Sequence, residues 1–292
     1  MPLPTGIIEP KYVDPRYLFI YATHKMGKTD CSLALTRQYM NKDGSPLACL
    51  LPLECGQEEY AGVYMNDPPI TLNMTVWEKF KILRQWLDEI IAAKQPFKYL
   101  ITDSVTVLDE WCEWWGTKMY MESNQGKNFN KWEANDVRDK KCKESDIGKL
   151  KPFTKWETVI EGLGQNGYRW TREAYYYWLE EIMKAAPYHI FLGHVREKYE
   201  DKGGSTISTS EIDLTGKVRS RTAKLVSTIG LIYGKENERW VSFQPMDNNF
   251  NGGAGSRCAH LRDKHIRLSW KEGEEIKYDW TEIFVELQEK KV

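Results

Sequence analysis

The chain reads as an α/β protein: a mostly parallel sheet flanked by helices, with a long insertion and a small C-terminal β/α elaboration. Three observations predict this. Short apolar runs alternate with helix-periodic segments from about residue 17 to residue 193. A Gly-Lys-Thr turn stands between the first apolar run and the first helical segment. Acidic residues close the next two apolar runs, where a parallel sheet gathers its loops. A length of 292 residues suggests about two domains, yet one enlarged α/β domain accounts for the pattern. We therefore assign residues 1–247 to the core, including an insertion at about 116–167, and residues 248–292 to an elaboration packed on it.

Residues 17–21 form the first strand and 28–40 the first helix, stopped by the turn residues 41–44 (Asn-Lys-Asp-Gly). Residues 47–53 are the second strand, with Pro52 near its end because proline cannot donate to a central ladder. Val76, Phe80, Leu83, Leu87 and Ile90 recur at helical spacing over 76–93. A short strand at 99–102 ends in Asp103, and 105–115 continues as helix. The segment 116–167 breaks this rhythm: it is rich in Lys, Asn, Glu and Gly, with Trp132 and Trp156 embedded. Order returns in the helix 170–186, stopped by Pro187, and the strand 189–193. A polar loop is then expected to about residue 215, strands at 225–233, 240–243 and 265–269, and a closing amphipathic helix at 280–289.

The segment from Ala22 to Thr29 (Ala-Thr-His-Lys-Met-Gly-Lys-Thr) matches a phosphate-binding loop, with Ala22 where the first glycine usually stands. Its members are Ala22, Thr23, His24, Lys25, Met26, Gly27, Lys28 and Thr29, with Asp30 following. Gly27 lets backbone wrap the phosphates, Lys28 can reach the β- and γ-phosphate oxygens, and the Thr29 hydroxyl is placed to ligate Mg²⁺. Lys25 either adds positive charge or faces solvent. Asp103 is the expected Mg²⁺-associated carboxylate, although an Asp capping the next helix would stand at the same place. Ser104, not an acid, follows Asp103. Glu54, at the end of the preceding strand, is then the candidate base that polarises water, against the plainer reading of a loop glutamate. His194 closes the strand 189–193 and either touches the γ-phosphate as a sensor or serves as a hydrogen-bonded strand-end histidine.

Composition narrows the function classes. Forty-one basic residues against 42 acidic give a formal charge of −1, so any nucleic-acid surface must be a local patch. No run approaches the roughly 18 apolar residues of a membrane span, and the N-terminus has no signal-peptide pattern. The 6 cysteines, without a C-x-x-C pair, read as free thiols of a reducing cytoplasm. Cys258, His260 and His265 are a weakly supported metal triad.

Residues 101–105 (Ile-Thr-Asp-Ser-Val), with Glu54 and His194, resemble the RecA-type ATPase core. The runs 193–198 and 213–217, and the stretches 255–257 and 261–264, are similar more narrowly to compact phage-encoded RecA-core proteins of single-strand annealing and recombination. This resemblance covers roughly residues 15–270 and leaves the insertion without a counterpart. It implies a RecA-like fold, an ATPase using ATP and Mg²⁺, and Glu54, Lys28, Asp103 and His194 as its catalytic set. Single-stranded DNA is the implied partner, met by mobile loops within 116–167 and across 197–216. Lys140, Lys141, Lys198 and Lys202 would then contact DNA, with Trp132 or Trp156 stacking on bases. A homo-oligomer, ring or filament, is implied as well. In it Lys217, Arg219 or Arg221 would reach a neighbour's nucleotide, and a single-strand-binding protein would be a further partner. The setting implied is the host cytoplasm. Two rivals from other classes stay open: a phosphotransferase with a small acceptor, and a nucleotide-dependent binding module that does not hydrolyse.

Overall fold

In the computed structural model of the chain, the described residues are 13–55, 60–129, 131–151, 158–202, 205–244 and 254–288. The element order is β1 (Tyr17–Ala22), α1 (Lys28–Gln38), β2 (Ala48–Pro52), α2 (Val76–Ala92), β3 (Tyr99–Asp103), α3 (Val105–Glu122), α4 (Asn124–Phe129), α5 (Ala134–Arg138) and α6 (Val159–Leu163). It continues through α7 (Gly167–Met183), β4 (Tyr188–Lys202), β5 (Ser205–Ile212), α8 (Gly216–Leu225), β6 (Thr228–Lys235), β7 (Glu238–Ser242), β8 (Gly255–Ser256), β9 (His265–Glu272) and β10 (Glu275–Tyr278). The main sheet runs β10-β9-β7-β6-β1-β4-β3-β2. From β6 to β2 every pairing is parallel; from β6 outward through β7, β9 and β10 the pairings are antiparallel. The predicted mixed α/β class, with a mostly parallel core sheet between helices, is the architecture observed.

Alternation along β1 builds the two layers. Phe19 and Tyr21 face a core shared with α2, α3 and α7, while Leu18, Ile20 and Ala22 face one shared with α1. Local signals set the helix starts: Thr75 and Glu78 form a reciprocal capping box on α2, and Ser104 caps α3 through the Val107 amide. The first layer takes more of the buried aromatic residues than the second. Phe80 stacks on Trp178 with centroids 4.8 Å apart, and Trp115 meets Trp178 edge-on at 5.0 Å.

Several expectations are corrected. The irregular segment expected from residue 116 is largely helical at both ends: α3 runs to Glu122, and α6 and α7 fill 159–183. Its Trp132 is 8 % exposed with the Lys151 ammonium over its ring, so it packs inward and offers no open face to a base; Trp156 lies outside the described residues. The polar loop expected after residue 193 is instead a β4–β5 hairpin, paired from Val195↔Ile212 to Lys202↔Ser205. Alternating Ser, Thr and Ile suits a strand, and polarity alone misled the loop reading. Leu225 ends α8, and the strand expected from it begins at Thr228.

The closing helix at 280–289 is not formed among the described residues; a turn leads into a single 3₁₀ turn, Val285–Leu287. Trp280, Ile283, Phe284 and Leu287 are all buried against the α1 side of the sheet, and this docking holds the segment without helical continuity. The weak metal triad is also dispersed. His260 Nε2 bonds the Ile283 carbonyl at 3.1 Å, His265 Nδ1 bonds the Tyr233 hydroxyl at 2.7 Å, and no metal-holding cluster occurs among the described residues. No described helix is long and apolar enough to cross a membrane.

Candidate active site

The loop between β1 and α1 opens at the C-terminal edge of the sheet. Gly27 caps α1 at φ 78°, a left-handed conformation that costs a side-chain-bearing residue about 1 kcal/mol. The first helical bond runs from the Cys31 amide to the Gly27 carbonyl at 2.9 Å, leaving the preceding amides of the turn without helical acceptors. Thr23, His24 and Lys25 are exposed, while Lys28 is buried at 6 % exposure.

Parallel register brings three strand ends to this loop. Ala22 of β1 is level with His194 of β4, and Asp103 of β3 with Leu192. The Leu53 and Glu54 amides both donate to the Asp103 carbonyl, at 2.7 and 3.1 Å, which fixes Glu54 beside the end of β3. The peptide bond between Asp103 and Ser104 is cis. The His194 amide donates to Thr106 Oγ1 at 3.0 Å, tying β4 to the start of α3.

The side chains form one connected set. Thr29 Oγ1 donates to Asp103 Oδ2 at 2.6 Å. Lys28 Nζ lies 3.2 Å from His194 Nδ1, and His194 Nε2 lies 2.7 Å from Glu54 Oε1, which also accepts from the Ser104 hydroxyl. An ammonium can only donate, so Nδ1 accepts and the imidazole proton sits on Nε2, pointing at Glu54. The His24 ring stacks on His194 with centroids 4.5 Å apart.

Electrostatics divide the two carboxylates. Burial raises Asp103 to about 6, with the Glu54 charge adding to the rise and Thr29, Lys28 and His194 opposing it. Burial also acts to raise Glu54, but the hydrogen bonds from His194 and Ser104 and the Lys28 charge outweigh it, so Glu54 lies below its ordinary value. Burial lowers the Lys28 ammonium, against the pull of Asp103 and Glu54. The two carboxylates are thus shifted in opposite directions, Glu54 toward its ionised form and Asp103 toward its protonated one. The Thr29 hydroxyl and Asp103 carboxylate are hard oxygen donors of the kind Mg²⁺ takes along with water and phosphate oxygens, and the pair fits that ion.

The sequence therefore named Lys28, Thr29, Glu54, Asp103 and His194 as residues that the fold does bring together. Asp30, placed with the loop, instead accepts from the Tyr278 hydroxyl and pairs with Arg37 at 3.7 Å. Arg219 is engaged by buried Glu211, and Arg221 lies 3.9 Å from the Tyr176 ring centroid. Lys141 pairs with Asp139 at 3.7 Å, and Lys140, next to it, is exposed. The side chains of Lys198 and Lys202 lie outside the described ones. Sequence reasoning missed the Ser104 and His24 contacts. The signal for Ser104 was its place after a strand-end acid, and that for His24 its place inside the loop.

A second concavity, about 1030 Å³, lies beyond His194 between the α6–α7 region and the start of α8. Its wall includes Glu113, Tyr168, Arg169, Arg172, Arg196 and Lys217. Just before this wall the Asp213 amide donates to the His194 carbonyl at 2.9 Å, and from the wall the Thr215 amide donates to Asp109 Oδ2 of α3 at 2.6 Å.

No protein-family profile matches the chain, and no curated protein sequence does. Among solved structures, it is similar to an ATPase from the type III secretion system of pathogenic bacteria, at 10% identity and a TM-score of 0.37. That alignment covers 75% of this chain and 51% of the secretion ATPase, so the chain spans about half that protein's length. It is also similar to a KaiC-like protein from the hyperthermophilic archaeon Pyrococcus horikoshii, at 9% identity and a TM-score of 0.41, covering 90% of this chain and 89% of the other.

Proposed function

We propose that this chain is a RecA-like ATPase that binds ATP with Mg²⁺, hydrolyses it, and acts on single-stranded DNA. The observation that carries the hydrolytic reading is the connected set Lys28–His194–Glu54–Ser104 beside the Thr29–Asp103 pair. Lys28, Thr29 and the turn around Gly27 hold the triphosphate. Thr29 and Asp103 would hold Mg²⁺, which supplies charge neutralisation of the phosphate oxygens. Ionised Glu54 orients a water toward the γ-phosphorus and accepts its proton, so that ATP and water become ADP and phosphate. His194 reports the nucleotide state: when Lys28 turns to the phosphates, Nδ1 loses its donor, and the ring, still donating from Nε2 to Glu54, is released from the lysine.

Support for a polymeric anion as partner comes from the concavity beyond His194. Arg172 and Lys217 on its wall make no ion pair with a described carboxylate, and the Asp213 amide, two residues before the wall's Thr215, bonds the carbonyl of the sensor histidine. The phage setting rests on the resemblance of residues 193–217 and 255–264 alone.

Phosphate release from ATP, with and without single-stranded DNA, tests this, with Lys28→Ala as control. Turnover that rises with DNA and vanishes in the control is the expected result. Turnover indifferent to DNA would move the reading to a phosphotransferase. Nucleotide binding without turnover would leave a binding module.

A further inference from the structure

All the reactive groups described above stand on one flank of the loop. His194 on β4, Asp103 on β3 and Glu54 after β2 lie to one side of β1, and β6 and β7 lie to the other. On that other side a cation approaches the loop. A Cβ added to Gly27 would lie 3.6 Å from Arg239 Nε, and one added to Gly234 would lie 3.3 Å from Met26 Cε and 3.4 Å from Arg239 Nη1. Arg239 of β7 and Met26 of the loop therefore close over the bare backbone of Gly234, in contact with the phosphate-binding turn.

Arg239 is half-buried, and its donors are largely unspent. Nη1 donates to the Glu238 carbonyl at 3.3 Å, and no described carboxylate pairs with the guanidinium. The neighbouring Glu238 carboxylate is committed elsewhere, to Arg267 and the Trp240 indole, each at 2.9 Å. A half-buried guanidinium without an anion beside an anion-binding turn calls for a ligand.

Which part of the ligand follows from direction. Lys28 holds the phosphates between the loop and the Glu54–His194 flank, so the γ-phosphate end points toward β4 and β3. The nucleoside end must leave the loop on the opposite flank, where β6 and β7 stand. We propose that Arg239 is the nucleoside-contacting residue of this site, its planar guanidinium stacking on the base with Met26 alongside. Guanidinium is weakly hydrated and planar, which favours stacking on an aromatic face, and any purine presents such a face. This proposal rests on the nucleotide-binding reading of the loop.

Calorimetric titration of the full chain with ADP and, separately, with tripolyphosphate tests it, because the second probe has no nucleoside. In Arg239→Ala, ADP affinity should fall about tenfold and tripolyphosphate affinity should stay within about twofold. Arg239→Lys keeps the charge and stem but not the plane, so it should lose ADP affinity too; it holds the test open if the alanine variant does not fold. Equal losses for both probes would make Arg239 a phosphate contact and overturn the proposal. So would unchanged binding of both. If Lys28→Ala leaves both affinities intact, the loop reading itself fails, a result distinct from any failure confined to Arg239.

Discussion

The strand-end edge of the sheet and the face behind α1 serve opposite purposes. On the β4–β3–β2 flank the strand ends carry charge: Glu54, Asp103 and His194 converge on Lys28 at hydrogen-bond distance. The C-terminal segment, packed on the α1 face of the sheet with Phe284 against Tyr99 of β3, meets the loop helix with apolar bulk. Trp280, Phe284 and Leu287 bury themselves behind α1, Trp280 Nε1 donates to the Cys31 carbonyl at 2.8 Å, and Tyr278 caps Asp30. Buried charge is destabilising unless it is paired, as the burial-driven rise of Asp103 shows, so the reactive flank contributes little to holding the fold. The difference teaches where stability comes from: the C-terminal segment clamps α1 from behind, and the loop can then keep a costly polar cluster at its front.

The sharpest way to break this comparison is Trp280→Ala. Trp280 is fully buried, and its loss should cost about 3–5 kcal/mol of unfolding free energy by chemical denaturation. Nucleotide affinity of the molecules that remain folded should hold. A loss below about 1 kcal/mol would show that the segment is not a clamp.

The converse is Glu54→Gln, which should lower turnover by roughly 10²–10³-fold while leaving ADP affinity and thermal stability near those of the parent chain. A large stability change here would mean that the polar cluster supports the fold after all.

A third test separates the fold from the site by pH. His189 is fully buried, stacked between Tyr17 and Phe191, and burial lowers it to about 4. Its folded value lies below the unfolded one, so it favours the native state fully above about pH 6.5 and loses that contribution as pH falls toward 4. The stability difference between the parent chain and His189→Gln should therefore shrink by about 2–3 kcal/mol between pH 7.5 and 4.5. An unchanged difference would place the acid sensitivity elsewhere.

The smallest effect expected is for Arg219→Ala. Glu211 keeps Arg196 at 2.6 Å, so the stability loss should be about 1 kcal/mol or less, with turnover of any assembled form unchanged. Turnover falling tenfold in an assembled form would make Arg219 reach a neighbouring site, and chemistry would no longer belong to one flank of one chain.

Much of the site was legible in the linear chain because its chemistry is local. Gly27, Lys28 and Thr29 are contiguous, and their function needs only a strand before them and a helix after. Asp103 and Glu54 could be placed because a parallel sheet carries all strand ends to one edge. Less was legible where pairing decided the outcome. Residues 205–212 looked like polar loop until β4 offered them a partner, and residues 280–287 looked like an amphipathic helix until the α1 face buried each apolar side chain separately.

The sequence by itself determined the alternation of strand and helix, the phosphate-binding loop and the residue types at the strand ends, since periodicity and turn chemistry act over a few residues. Only the tertiary structure decided that Lys28 meets His194, that Ser104 and His194 together hold Glu54 ionised, and that Arg239 comes to rest against Gly27. Those contacts join positions up to 212 residues apart (239 − 27), and no local preference encodes a distance that only the order of strands in the sheet sets.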